Sequence, residues 1–112
     1  MKTLYIEGDN ETSPTPILIG ENKEENDFLL KTSEKSHFWF HLDSFPSCHL
    51  VFKGKNISHN EIVFCAKKCL EHTKYKNMKG VYVCYTTIGN LKRTGPGEVE
   101  FISNKKVRKI MV

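Results

Sequence analysis

The sequence predicts an α+β fold, a mainly antiparallel sheet with two helices packed on one face. Three observations predict it. The stretch Ser36–Phe52 alternates with period two through Phe38, Phe40 and Leu42, crosses a turn at Pro46, and alternates again through Cys48, Leu50 and Phe52. Ser58-His59-Asn60-Glu61 has the form of a capping box, and Ile62, Cys65, Ala66 and Cys69 follow it at helical spacing. Val81–Thr86 and the segments on either side of Gly95-Pro96-Gly97 are short, rich in apolar and β-branched residues, and bounded by turn signals.

In chain order, Thr3–Glu7 and Ile17–Ile19 read as two short strands, a hairpin around the loop chemistry of Gly8–Pro14. Residues 22–32 read as a short helix with Glu24, Glu25 and Asp27 near its positive end and Lys31 near its last turn. Phe28, Leu29 and Leu30 are expected to face the sheet. After the central hairpin, the longer helix is expected over 58–73, with Ile57 and Ile62 in staple positions. Its other face carries Phe64, Lys67, Lys68 and Glu71, and Phe64 reads equally as an exposed contact residue or as one packed under a loop. A basic connection with Tyr75 between lysines leads to Val81–Thr86, expected as a central strand. Glu98–Ile102 and Lys106–Val112 are expected as the last two strands.

A chain of 112 residues with 38% hydrophobic and 27% charged residues suits one globular domain, 1–112. Its apolar runs are too short for a membrane span, and Met1–Glu7 lacks the apolar core of a signal peptide. The four Cys form no CxxC pair and read as reduced thiols, so a cytoplasmic setting is expected. Charge is divided between the halves. Residues 1–52 carry 4 Lys and Arg against 9 Asp and Glu, a balance of −5, and residues 53–112 carry 13 against 4, a balance of +9. Such asymmetry fits an oriented surface for a polyanion, and equally fits lysines that merely solvate exposed faces.

The alternation places Trp39, His41, His49 and Lys53 on the sheet face opposite Phe40 and Leu50. One reading is a platform for stacking bases and holding phosphate, while the other is a core strand whose Trp is buried and whose His bind backbone groups. Lys92, Arg93 and Thr94, two cations and a hydroxyl before a tight turn, read as a phosphate clamp, and Lys53 and Lys55 follow the central hairpin directly. Lys105, Lys106, Arg108 and Lys109 add a basic edge, or serve to keep that edge from pairing with other sheets. No GxSxG, P-loop or HExxH is present. His41 and His49 could in principle act as an acid–base pair on a phosphodiester, and with Cys65 and Cys69 they have the residue types of a zinc site. The core phase of both Cys argues for buried thiols, so neither a metal nor another cofactor is expected.

Trp39-Phe40-His41 followed by Pro46-Ser47-Cys48-His49-Leu50 resembles the signature of the NFACT-R domain family. Gly20–Leu29, Val81–Thr86 and Asn90–Val99 match three further blocks of that family in order. The chain is most similar to short standalone members, and it departs from the pattern at His37 and Ser47. It also reaches Val112 without the charged coiled coil that follows the domain in such members. The resemblance implies a non-catalytic RNA-binding domain, acting on tRNA or rRNA or on a ribosomal surface. Large members of the family act on stalled ribosomal subunits and bind tRNA. The nucleic-acid-binding residues expected here are Trp39, His41, His49, Lys53, Lys55, Lys92, Arg93 and Thr94, and DNA could share the same basic surface. The alternatives are a protein-interaction module docking through Trp39 and Phe64, and a His-dependent phosphodiesterase.

Overall fold

The computed structural model describes residues 1–7 and 14–112, so most of the loop expected at Gly8–Pro14 lies outside the described residues. Six strands form one antiparallel sheet in the order β1-β2-β4-β3-β5-β8, where β1 is Lys2–Ile6, β2 Thr15–Gly20, β3 Phe38–Leu42, β4 His49–Phe52, β5 Tyr82–Thr87 and β8 Arg108–Met111. Helix α1 spans Lys23–Thr32 and α2 spans His59–Glu71. Strands β6 (Leu91–Gly95) and β7 (Glu98–Phe101) form a separate hairpin. The N-terminal hairpin is present, with Leu4 opposite Ile17. Strand β5 is interior, between β3 and β8. No helix among the described residues is long and apolar enough to cross a membrane.

The α+β class is as the sequence predicts, but the helices lie on opposite faces of the sheet. On one face Ile17, Ile19, Phe40, Leu50 and Phe52 pack against Cys65, Ala66, Cys69 and Leu70 of α2. On the other, Trp39 and Val51 pack with Leu29 and Leu30 of α1 and with Leu91, Val99 and Phe101 of the hairpin. Every residue of β4 is buried. The reason lies in the strands themselves. Trp39 and Val51 alternate with Phe40 and Leu50, so both faces carry large apolar groups and both need a cover, each buried side chain contributing about 1.5–3 kcal/mol.

Local signals explain the helix ends. Ser58 accepts from the Glu61 amide at 3.2 Å while Glu61 accepts from the Ser58 amide at 2.8 Å, completing the capping box. Asn22 caps α1 through the Glu25 amide at 2.8 Å. Phe28 does not face the sheet, being 54% exposed, because Asp27 takes the inward position together with Leu29 and Leu30. Phe64 is half-buried at the margin of the α2 core, with the Lys68 ammonium 5.5 Å from its ring centroid. Tyr75 packs its ring 4.7 Å from Phe45, which removes it as a free stacking surface.

Candidate nucleic-acid interface

The alternation of β3 and the register of β4 bring Trp39, His41 and His49 together. The Trp39 Nε1–H donates to His49 Nδ1 at 3.1 Å. The Trp39 and His41 rings are stacked at 5.4 Å, and the two His rings meet edge-on at 5.2 Å. Phe101 of the hairpin closes over Trp39 at 5.9 Å. Trp39 is therefore only 2% exposed and His49 3%, so the indole offers no face for a base to stack on. Burial holds His49 neutral, with its pKa lowered to about 3, and the neighbouring His41 adds to the shift. Burial also lowers His41, while the Leu42 carbonyl, 2.7 Å from its Nδ1, opposes this.

His41 and His49 line a cleft of about 630 Å³, between the N-terminal end of α1 (Asn22, Asn26), the β3–β4 turn (Ser47) and the hairpin tip (Gly97). The Asn26 Oδ1 accepts from the His49 amide at 3.2 Å, which ties α1 to β4. A second hollow of about 660 Å³ runs on beneath the hairpin, past Asp43, Phe45, Thr94 and Glu100. With Glu21 and Glu98 beside Lys2 and Lys23, these walls are of mixed charge.

Of the other predicted residues, Thr94 lines the second hollow with His41 and His49, and the rest do not join this cluster. Lys53 and Lys55 follow β4 at the far end of the sheet, four strand residues beyond His49, or about 13 Å. The Lys53 ammonium donates to Ser33 Oγ at 2.9 Å, and burial lowers its pKa, whereas Lys55 is exposed. Lys92 and Thr94 are exposed on β6.

Arg93 points the other way. Its Nε and Nη2 donate to the two oxygens of Asp27 at 2.9 and 3.1 Å, the Gly97 amide donates to the same carboxylate at 3.0 Å, and the Lys31 ammonium lies 3.1 Å away. The Gly97 amide first and the Arg93 guanidinium second hold the Asp27 carboxyl well below the usual range. Arg93 is thus a rivet between hairpin and helix rather than half of a phosphate clamp. A side chain at Gly97, whose φ is +70°, would press on the Lys23 carbonyl at 3.0 Å.

Asn26 and Asp27 are the residues of this region that sequence reasoning passed over. One signal was available: an acid falls on the inward stripe of α1, three residues before Leu30, where a charge needs a partner. The four zinc-type residues are divided by the sheet. His49 lies against Trp39, and Cys65 and Cys69 lie in the core under α2. All four Cys are buried and unpaired, the Cys48 and Cys69 sulfurs standing 3.9 Å apart. Burial pushes Cys84 up to about 11.

A helix-flanked antiparallel sheet, with a hairpin pinned to one helix and closed over a Trp–His pair, defines an α+β domain of this kind. The chain belongs to the family described as the NFACT protein RNA binding domain, which it matches over residues 2–102. Protein JLP2 of Saccharomyces cerevisiae is 31% identical over 88% of this chain and 54% of its own length. Coiled-coil domain-containing protein 25 of Danio rerio is 29% identical over 88% of this chain and 53% of its own. The Rqc2 homolog RqcH of Bacillus subtilis is 26% identical over 82% of this chain but only 16% of its own. The chain thus spans about half the length, or less, of these relatives. Among solved structures, the C-terminal part of the fibronectin/fibrinogen-binding protein from Streptococcus suis superposes with a TM-score of 0.79 and 26% identity, over 96% of this chain and 43% of that one.

Proposed function

We propose that this chain is a non-catalytic RNA-binding domain of the cytoplasm that holds structured RNA, tRNA or rRNA, and associates with the ribosome. DNA would meet the same cations. The observation that carries the reading is the set of cations left without a carboxylate. They include Lys53, Lys55, Lys92, Lys105, Lys106 and Arg108, none of which has a carboxylate within 4.0 Å among the described residues, in a domain of the NFACT RNA-binding family. Cations not neutralised within the protein are the ones that exchange counterions for phosphates. Lys92, exposed on the hairpin, would position the backbone with Thr94 at the mouth of the second hollow, and Lys55 and Lys53 would hold it at the other end of the sheet.

The His pair supports a binding role over phosphodiester chemistry. Burial lowers the pKa of both rings, and His49, at about 3 and with its Nδ1 occupied by the Trp39 N–H, does not stand ready as a general acid near pH 7. The burial of Trp39 likewise takes away the main anchor of a protein-docking reading. The test is anisotropy with labelled tRNA across a salt series, for the unmutated protein and for Lys55→Ala with Lys92→Ala. Affinity should fall steeply with salt, and the double variant should flatten the slope by roughly one unit per lost contact. A salt-independent affinity, or recovery of partners from lysate that ribonuclease leaves unchanged, would sink the reading in favour of a protein partner.

A further inference from the structure

Two aromatics outside the Trp–His cluster, Phe38 and Tyr85, are half-buried side by side on the sheet. A groove of about 400 Å³ opens at the opposite end of the sheet, lined by Phe38, Tyr85, Thr87, Lys105, Lys106 and Arg108. Its floor is two half-buried rings on the α2 face. Tyr85 is stacked on Phe40 at 5.2 Å, and Phe38 meets Phe52 edge-on at 6.3 Å, so both rings are fixed in place by core neighbours.

Its rim is a short 3-10 turn, Asn104–Lys106, that leads into β8. A buried side-chain network fixes that turn. Thr86 Oγ1 donates to the Lys106 carbonyl at 2.9 Å. The Asn90 amide donates to Thr86 Oγ1 at 3.0 Å and to the Ser103 carbonyl at 2.9 Å, and Asn90 Oδ1 accepts from the Ser103 amide at 2.8 Å. Asn90 is 4% exposed, so the network works in a low dielectric and holds its geometry. Lys105, Lys106 and Arg108 have no carboxylate within 4.0 Å among the described residues. The strand register brings residues 53–55 to the same end, because Phe38 pairs with both Phe52 and Thr87.

We propose that this groove takes one unpaired nucleotide of RNA. Its base packs on the Phe38–Tyr85 floor, and its 5′ and 3′ phosphates meet Lys105, Lys106 and Arg108. Fixed apolar rings beside a rigid turn of unpaired cations supply the two parts that sequence-tolerant single-strand binding needs, stacking surface and backbone charge. The proposal rests on the RNA-binding reading above and adds to it where an unpaired base is held.

The experiment is an NMR titration of the isotope-labelled chain with rA10, together with anisotropy of labelled rA10 for the unmutated protein, Lys105→Glu with Lys106→Glu, and Tyr85→Leu, each first shown folded by circular dichroism. Amide shifts should concentrate at Phe38, Tyr85, Thr87 and residues 104–108. The charge variant should reduce the salt slope by about 1.4 units, two single-strand contacts. Tyr85→Leu should weaken binding about five- to hundredfold with the slope unchanged. The rA10·rU10 duplex should not reproduce the dependence on Tyr85. Shifts confined to the hairpin around Lys92, affinities unmoved in both variants, or a duplex that depends on Tyr85 equally would overturn the groove while leaving RNA binding standing. An unmutated protein that binds neither rA10 nor tRNA would overturn both.

Discussion

The two faces of the sheet are sealed by different means. Under α2 the cover is aliphatic and sulfur-rich: Cys65, Ala66, Cys69 and Leu70 lie on Ile17, Ile19, Phe40 and Leu50, and shape does most of the work. On the α1 face the same task falls to directed bonds. Trp39 donates to His49, Asp27 gathers Arg93, Lys31 and the Gly97 amide, and Asn90 ties Thr86 to Ser103. A shape-packed face tolerates volume-conserving exchange, whereas a bonded face answers to protons and to single atoms.

The sharpest break in this comparison is Trp39→Ala. It should cost about 3–5 kcal/mol of stability in urea unfolding followed by circular dichroism. A loss under 1 kcal/mol would mean the indole is not buried as described. Trp39→Phe keeps an aromatic ring but is smaller and lacks the N–H, so its cost combines a partial cavity with the loss of the bond to His49.

Acid should separate the faces next. The folded pKa of His49 is about 3, below its ordinary 6.5, so the unfolded chain binds more protons between those values. The stabilisation is fully present above about pH 6.5 and is lost as pH falls toward 3. Between pH 7 and 5 this should amount to on the order of 2 kcal/mol, with His41 and His37 shifted in the same direction. Asp27, held far below the usual carboxylate range, stays ionised throughout that window. Equal stability at the two pH values would show that His49 is charged in the fold.

The smallest effect belongs to the α2 side, where Ser58→Ala removes half of the capping box and should cost about 1 kcal/mol by the same urea measurement. A cost above that of Trp39→Phe would reverse the contrast drawn between the faces.

What was legible in the sequence was what neighbours in the chain decide. Ser58 and Glu61 are three residues apart, and their box forms as read. The period-two pattern was enough to bring Trp39, His41 and His49 onto one face. It could not tell that the face would be closed, because the lid is Leu91, Val99 and Phe101, more than fifty positions after Trp39. The same distance hid the use of Arg93. Two cations before a turn look alike in sequence, but alternation on β6 sends Lys92 outward and Arg93 to a carboxylate 66 residues earlier. Helix placement failed for a related reason: both helices were expected on one face, but Trp39 and Val51 make the other face apolar too, and it needs a cover of its own.

The Asp27 rivet also has a kinetic side. Its partners are separated by 66 and 70 residues of chain, and closing such a loop costs entropy that no local contact offsets. With partners this far along the chain, we expect the carboxylate to meet Arg93 and Gly97 late, after the sheet has assembled and α1 has docked, on the native side of the folding barrier. Its strength should then appear almost wholly in the rate of leaving the native state. In stopped-flow chevrons, Asp27→Asn should raise the unfolding arm and leave the refolding arm nearly unmoved, and a slowed refolding arm would place the clamp in the nucleus instead. The hairpin would then act as a latch that sets how long the domain stays closed over Trp39, rather than how fast it forms.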